Sequence, residues 1–467
     1  MTRSARGAAG KGLVLIGAGS TVFTPGLLRD ITSSPAFEDY TVHLVDTNGE
    51  AAETMAAIGR RLAARRGHGV RIEAHTDRRA ALPGARFVIT TIAVGGAGGW
   101  RADLEIPARY GIRQTVGDSV GPGGVLRALR HVPELVAIAR DVADLAPRAW
   151  LVNYSNPLTA NVRAITGQTG VRAIGLCHGT MHTTMALSAA LSRDPDDVHA
   201  VFAGLNHLCW LLDIRSGGTD LYPRLRELVE AHAGGRDAPS SRTEGVHAAV
   251  SADLMRTFGR YPAPGDRHVA EFFPRYLSAA GSGELAWGLQ GGQDMTHEYI
   301  DDKSRLWDDL RAQANGDVPL QISSGQEAER VVSIAAALLG DRDIVEPAVN
   351  LPNEGRLPDL PATAVVEVPA VVGADRITGL GIGPLPPAIA AVLAARAGQQ
   401  ELTVRAAVSG DRDMAVQALT LDPLVGDAST ARAILDDAVV AHAPLLDRFG
   451  AVDGHDLQNQ RPREGEL

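Results

Sequence analysis

The chain has 467 residues and a formal net charge of −10. Hydrophobic residues make up 45% of it and charged residues 21%, a composition that is ordinary for a folded globular protein. The negative balance without a basic run argues against nucleic-acid binding, and no apolar run of about 18 residues suggests a membrane span. Two cysteines cannot form a disulfide framework, and the N-terminus lacks the apolar core of a signal peptide. We therefore expect a cytoplasmic protein.

The first 200 residues alternate short apolar runs with helical patterns. Residues 50–66 predict a helix, and strands are predicted by GLVLIGAG, TVHLVDTN, ARFVITTIAV, RAWLVNYSNP and VRAIGLCHG, in that order. Continuous apolar runs are typical of strands buried on both faces. Their alternation with helices predicts an α/β fold with a Rossmann-like, doubly wound parallel sheet. We assign residues 10–200 to this domain.

The pattern changes after residue 200. HAVFAGLNHLCWLLDI indicates antiparallel strands and TAVVEVPAVV a further strand, while helices are predicted at 218–233, at 325–339 and between 387 and 442. Residues 237–245 predict a loop. We therefore expect a second, α+β domain over residues 201–450, followed by a polar tail over 451–467.

The turn after the first predicted strand carries a nucleotide-binding pattern. Gly17 and Gly19 allow a tight turn and a close approach of the backbone to a pyrophosphate, although Val22 replaces the usual third glycine. Asp46 ends the next strand, where an acidic residue commonly binds a ribose 2′-OH, which favours NAD over NADP. An α/β turn without a ligand is the alternative. Our candidate cofactor-binding residues are Gly17, Gly19, Ser20, Thr21 and Asp46.

Several longer motifs occur in a characteristic order: GAGSTVFTP, QTVGDSVGPGG, NYSNPL, GLCHG, GLNHLCW, VNLPNEGRLPDLPATAVVEVPAVV and AVQALTLDPLV. This set, from about residue 12 to 445, resembles the NAD-dependent glycoside hydrolases of family 4. The resemblance implies transient oxidation of the sugar at C3 by NAD, removal of the C2 proton by a base, elimination of the aglycone, addition of water and re-reduction. It also implies a divalent ion, usually Mn²⁺, that polarises the carbonyl, and a homodimer or homotetramer.

The resemblance places the metal ligands at Cys177 and His207. Cys177 ends a predicted strand, where sites of α/β proteins cluster. A thiolate is an unusual ligand for a hard ion such as Mn²⁺, and the alternative for Cys177 is a buried core thiol. Cys209, two residues beyond His207, is predicted to pack in the core.

The resemblance also suggests residues that contact the sugar. Members acting on 6-phosphosugars tend to carry Asp or Asn at the position of His178, and members acting on unphosphorylated α-glycosides tend to carry His. His178 is therefore a candidate acid or sugar contact, with a structural histidine as the alternative. Asn156 is assigned to the sugar hydroxyls beside the nicotinamide, with Asn153 as a weaker candidate on the cofactor side. Asp118 either contacts the sugar and metal region or caps the following helix.

The proton-abstracting base falls in the segment FGRYPAPGDRHVAEFFPRY. The two candidates are Tyr261 and Asp266, and we favour Asp266. Arg260, Arg267 and His268 make the segment basic, which suits a carboxylate or sulfonate on the sugar; ordinary surface ion pairs are the alternative.

We therefore expect an NAD-dependent α-glycosidase acting on unphosphorylated glycosides with an anionic group at C6, such as a glucuronide, galacturonide or sulfoquinovoside. The NAD-dependent sulfoquinovosidases are related to the family. A neutral α-glucosidase or α-galactosidase of the same mechanism is the alternative. From other classes, a 2-hydroxyacid-type dehydrogenase and a nucleotide-binding sensor without catalysis stay open.

Overall fold

The computed structural model describes residues 10–232, 234–236, 245–278, 285–321 and 329–450. The polar tail at 451–467 lies outside the described residues, as does the loop predicted at 237–245 apart from Gly245.

The described residues contain thirteen strands. In chain order, β1 to β13 are Gly12–Ile16, Thr41–Val45, Arg71–His75, Ala85–Thr90, Trp150–Asn153, Arg172–Gly175, Val198–Leu205, Leu208–Ser216, Thr219–Asp220, Tyr261–Ala263, Ile344–Pro352, Val365–Gly373 and Arg376–Gly379.

The same residues contain fifteen α-helices. In chain order, α1 to α15 are Thr24–Ile31, Gly49–Arg66, Arg78–Ala81, Gly96–Ala108, Gly121–Leu145, Leu158–Gln168, Gly179–Ala190, Tyr222–His232, Ala249–Phe258, Asp266–Val269, Gly292–Asn315, Arg330–Leu339, Pro387–Ser409, Arg412–Thr420 and Ala428–Ala441. Across the described residues, no helix combines the length and the apolar character that crossing a membrane requires.

All the strands join one sheet, in the order β10-β8-β7-β12-β11-β6-β5-β4-β1-β2-β3, with β13 beside β12 and β9 beside β8. The pairs from β3 through β6 are parallel, which confirms the predicted Rossmann-like α/β arrangement. β7 and β8 form the predicted antiparallel pair. The strands of the second half thus extend the first sheet.

Strands β11 and β12 connect the parallel strands of the sheet to β7 and β8, and each junction consists of a single residue pair. Asn350 of β11 pairs with Gly175 of β6, and Glu367 of β12 pairs with Gly204 of β7. Asn350 and Glu367 also pair with each other, and the Asn350 amide donates to the Glu367 carboxylate at 3.0 Å. A continuous row of four residues therefore crosses β6, β11, β12 and β7.

Local sequence explains the helix that follows β2. Asn48 caps α2 by accepting the N–H groups of Glu50 and Ala51 at 3.1 and 3.2 Å. Gly67 ends the helix with φ 64°, a conformation that favours glycine. A buried face that repeats at helical spacing packs α2 on the sheet core and includes Ala52, Met55, Ile58 and Leu62.

Several elements differ from the sequence predictions, among them β3 and α8. β3 was not predicted, because its residues RIEAH are mostly polar and partly exposed at the sheet edge. The helix predicted from 218 begins at Tyr222, because Thr219 and Asp220 pair with β8 as a short strand.

Candidate active site

A cleft of about 970 Å³ opens at the carboxyl ends of β1, β2 and β4. The five candidates from the nucleotide pattern (Gly17, Gly19, Ser20, Thr21 and Asp46) all line it. Gly17 has φ +92°, and a Cβ there would lie 2.8 Å from the carbonyl carbon of Thr91. The turn thus needs glycine for its backbone conformation and for its packing.

Asp46 holds this turn in place. Its carboxylate accepts the N–H of Gly19 at 2.7 Å and the N–H of Asn48 at 2.9 Å. A Cβ on Gly19 would lie only 2.8 Å from the same carboxylate. The acidic residue predicted to contact a ribose therefore also fixes the glycine turn beside it.

The far end of the cleft contains residues that the sequence did not single out. They come from α3 and from the distant helix α11, so no local motif could have indicated them, and they include Arg78, Arg79, Trp307 and Arg311.

Asn153, the weaker cofactor candidate, lies outside the lining residues of this cleft. Its buried amide accepts the Thr90 hydroxyl at 3.0 Å and donates to the Ser155 carbonyl at 2.9 Å. These contacts fix the loop after β5, which leads to Asn156.

A second cavity, of about 250 Å³, brings together residues from four separated segments. The sequence candidates that line it are Cys177, His178, His207, Tyr261, Arg267 and His268. We refer to it as the sugar-site cavity.

Cys177 and His207 lie close together in this cavity. The Cys177 Sγ is 3.5 Å from Nε2 of His207 and also accepts the N–H of Gly179 at 3.4 Å. Two such ligands of one tetrahedral ion, at about 2.3 and 2.0 Å from it, would be about 3.5 Å apart. His207 is buried, and its Nδ1 has no hydrogen-bond partner among the described residues. The separation of the pair therefore fits two ligands of one metal ion.

Negatively charged groups surround His207. Although burial lowers the pKa of His207, the neighbouring Cys177 and the more distant carboxylates raise it to about 9. Asp118, His207 and His268 place one ligand atom each within 4.8 Å of one another. The sequence treated these three residues separately, and the structure joins them.

Asp118 contacts the loop that carries Asn156. Its carboxylate accepts the Asn156 amide at 2.8 Å and the Ser119 hydroxyl at 2.8 Å. Burial raises the pKa of Asp118, but His207, Arg127 and other neighbours outweigh it and hold the pKa below its usual value. The first turn of α5 is capped by Gln114, whose side-chain oxygen accepts the N–H of Gly123 at 2.8 Å, and the N-cap residue is Val120, so the helix-capping alternative for Asp118 is not supported.

Asp266 does not have the position expected of the base. It is fully buried, lies outside the cavity lining, and accepts the N–H groups of Val250 and Ser251 and the Ser251 hydroxyl. It thereby caps the first turn of α9; burial still raises its pKa to about 6. Tyr261, the other candidate for the base, is also buried but lines the cavity, and its hydroxyl donates to the Gly245 carbonyl at 2.8 Å.

His178 begins the cavity wall at the N-terminus of α7. Its Nε2 lies 3.2 Å from a carboxylate oxygen of Glu329, and its ring lies near those of Phe23 and Tyr154. Glu329 is buried and precedes α12. The sequence gave no signal for this pair, because its members lie far apart in the chain.

Glu271 is a second carboxylate that the sequence analysis missed. One oxygen accepts the N–H groups of Thr115, Val116 and Gly117 at 2.8–2.9 Å. Burial raises its pKa to about 7 against the effect of these donors. Its position in the apolar run VAEFF is a signal that could have marked it. It fixes the glycine-rich loop that presents Asp118.

Two family models divide the chain between them. Residues 12–193 match the family 4 glycosyl hydrolases, and residues 202–425 match the C-terminal domain of the same family. The chain belongs to the family 4 glycosyl hydrolases. It is therefore a glycoside hydrolase, and the dehydrogenase and sensor alternatives lose their support.

Relatives of this hydrolase include two enzymes of Bacillus subtilis (strain 168). An alpha-galactosidase is 32% identical over 446 residues, covering 94% of this chain and 100% of that enzyme. An alpha-galacturonidase is 33% identical over 444 residues, covering 91% and 96%. The hydrolase is thus similar to enzymes named for a neutral sugar and to enzymes named for an acidic one.

Solved structures share the fold of this hydrolase. The crystal structure of a Bacillus subtilis protein described as a glucosidase has a TM-score of 0.83 and 31% identity, and covers 91% of this chain and 99% of that one. A 6-phospho-alpha-glucosidase from gut microorganisms, solved with NAD and Mn²⁺, has a TM-score of 0.79 and covers 93% and 99%. At 21% identity the second likeness concerns the fold alone.

Proposed function

We propose that this hydrolase is an NAD-dependent α-glycosidase acting on unphosphorylated glycosides whose sugar carries an anionic group at C6. The charge of the sugar-site cavity carries the proposal. Among the described residues that line it, Arg267 holds the only permanent charge, and the carboxylates of Asp118 and Glu329, which contact Asn156 and His178, lie outside the lining. A carboxylate or sulfonate on the sugar would meet a guanidinium, the side chain best suited to bind it in two-pronged fashion.

We assign one cofactor to each of the two cavities. NAD would bind in the cleft beside Gly17, Gly19 and Asp46, and a divalent ion, Mn²⁺ by the family resemblance, would bind at Cys177 and His207. When bound, NAD supplies reversible oxidation of the sugar at C3, and the ion stabilises the negative charge that develops beside it.

Side chains of this protein would carry out the proton transfers and orient the sugar. Tyr261 lines the cavity and would take the C2 proton, in the place first assigned to Asp266. His178, with its Nε2 toward Glu329, would bind the sugar or protonate the leaving oxygen. Asn156 and Asp118, joined by their hydrogen bond, would orient the sugar hydroxyls.

A panel of nitrophenyl α-glycosides tests the proposal. With NAD and Mn²⁺ present, we expect the galacturonide, glucuronide or sulfoquinovoside to show the highest kcat/KM. Turnover of the neutral galactoside or glucoside alone would leave the protein a hydrolase but remove the anionic preference. A preference for 6-phosphoglycosides would contradict the assignment of His178.

Variants of two arginines sharpen the test. We expect Arg267→Gln to raise KM for the anionic glycoside about 10- to 100-fold, the range of a lost charged hydrogen bond, and to change KM for a neutral glycoside little. Arg260→Gln is the matched control, because Arg260 lies on the same segment but contacts Tyr222 outside the cavity lining.

The redox-elimination route has its own measurement. Deuterium at the sugar C2 should exchange with solvent during turnover, because the C2 proton is removed and replaced. Complete retention of the label in the product would exclude this route.

A further inference from the structure

A second group of metal-ligand side chains lies on β2 and β3, at the edge of the sheet. Nδ1 of His43 is 3.0 Å from Nε2 of His75 and 3.4 Å from a carboxylate oxygen of Glu73, and that oxygen is 3.6 Å from Nε2 of His75. Three ligand atoms of two imidazoles and one carboxylate thus face one another.

Strand pairing accounts for this arrangement. β2 and β3 are parallel, with His43 opposite Glu73 and Val45 opposite His75. Side chains two residues apart on a strand project from the same face, so Glu73 and His75 share the face of His43. The side chains of His43 and His75 are 17% and 23% exposed and that of Glu73 is 52% exposed, so an ion in solution can reach all three.

We propose that His43, Glu73 and His75 bind a divalent transition-metal ion, with Zn²⁺ as the best match and water completing the coordination. Ligands at about 2.0–2.1 Å from a tetrahedral ion are about 3.3–3.4 Å apart, close to the three separations found here. Two imidazoles with one carboxylate suit zinc better than they suit calcium or magnesium. A hydrogen bond between the two histidines accounts for only one of the three contacts.

The site is separate from the Cys177–His207 pair, which lies at the ends of β6 and β7. A bound ion would link the edge strand β3 to β2. Arg78 and Arg79, which line the nucleotide cleft, follow β3 closely in the chain.

Zinc stoichiometry of the full-length protein with NAD bound tests the site. We expect wild type to bind two equivalents, one at Cys177–His207 and one at the new site. The double variant His43→Gln/His75→Gln should lose one equivalent and keep its Mn²⁺-dependent activity, whereas Cys177→Ser should lose the other. His199→Gln, at an exposed histidine of β7, is the matched control and should bind as wild type does.

Equal stoichiometry in wild type and in the double variant would overturn the proposal, and so would wild type binding zinc only at Cys177–His207. If the double variant does not fold, Glu73→Gln replaces it, because this carboxylate is largely exposed. We expect Glu73→Gln to weaken zinc binding at this site at least tenfold, and unchanged affinity would count against the site.

Discussion

The carboxylate of Asp266 accepts both the main-chain N–H and the hydroxyl of Ser251, at 2.8 and 2.7 Å. A carboxylate with these hydrogen bonds holds the first turn of α9.

We therefore expect Asp266→Asn to lower the free energy of unfolding by about 1–2 kcal/mol, the usual cost of losing a helix cap, and to leave kcat of the folded enzyme within a few-fold of wild type. Tyr261→Phe should reduce kcat at least about 100-fold, the range of a lost general base. Urea denaturation and steady-state kinetics measure the two effects. An inactive Asp266→Asn variant of unchanged stability would restore Asp266 as the base.

The two cysteines offer a matched pair of variants. Cys177→Ser should lower the affinity for the divalent ion at least tenfold and leave NAD affinity unchanged, because the thiol lies beside His207 and not in the nucleotide cleft. Cys209→Ser should leave ion affinity unchanged, because Cys209 is buried in the core and its thiol donates to the Leu205 carbonyl. Ion titration followed by activity compares them; equal loss in both variants would exclude Cys177 as a specific ligand.

The glycine turn predicts a selective loss of cofactor binding. Gly19→Ala places a methyl group 2.8 Å from the Asp46 carboxylate and forces it away from the turn. We expect NAD affinity to fall about tenfold, equivalent to about 1.4 kcal/mol, with little change in ion affinity. Fluorescence titration with NADH measures this. Unchanged affinity would show that Asp46 need not hold its position when the cofactor binds.

Glu271 predicts a pH dependence of stability. A carboxyl group whose pKa rises from 4.5 in the unfolded chain to about 7 in the folded one binds more protons when folded. It therefore stabilises the fold below about pH 4.5, and this contribution is lost as the pH rises to about 7, at up to about 1.4 kcal/mol per pH unit.

Glu271→Gln keeps an oxygen for the three N–H donors and cannot ionise. The stability of wild type relative to this variant should therefore fall between pH 5 and 7, as measured by urea denaturation at each pH. A constant difference across that range would mean that Glu271 titrates normally in the folded protein.

The parallel strands and the glycine turn were predictable because each depends on neighbouring residues. Five apolar runs became β1, β2, β4, β5 and β6, and Gly17 and Asp46 lie where the pattern placed them. The assignment of Cys177 and His207 as metal ligands depended on the order of several motifs, since neither residue is informative alone.

What the sequence left out concerns partners that are not neighbours in the chain. Nothing near Asp266 shows that its carboxylate turns toward Ser251, and nothing near His178 shows Glu329 beside it. β3 was missed because its polar residues lack the apolar run of a buried strand, and the His43–Glu73–His75 group was missed with it.

The row of Gly175, Asn350, Glu367 and Gly204 also has a consequence for the order in which the protein can become active. The chain segments that carry Cys177 and His207 are synthesised first, but β11 and β12, which set the spacing between them, emerge from the ribosome much later. The parallel strands can pair during synthesis, whereas the proposed ion site at Cys177 and His207 is complete only after β11 and β12 have been made. We therefore expect a nascent chain to form its parallel sheet before its proposed ion site, and to be inactive until both are present.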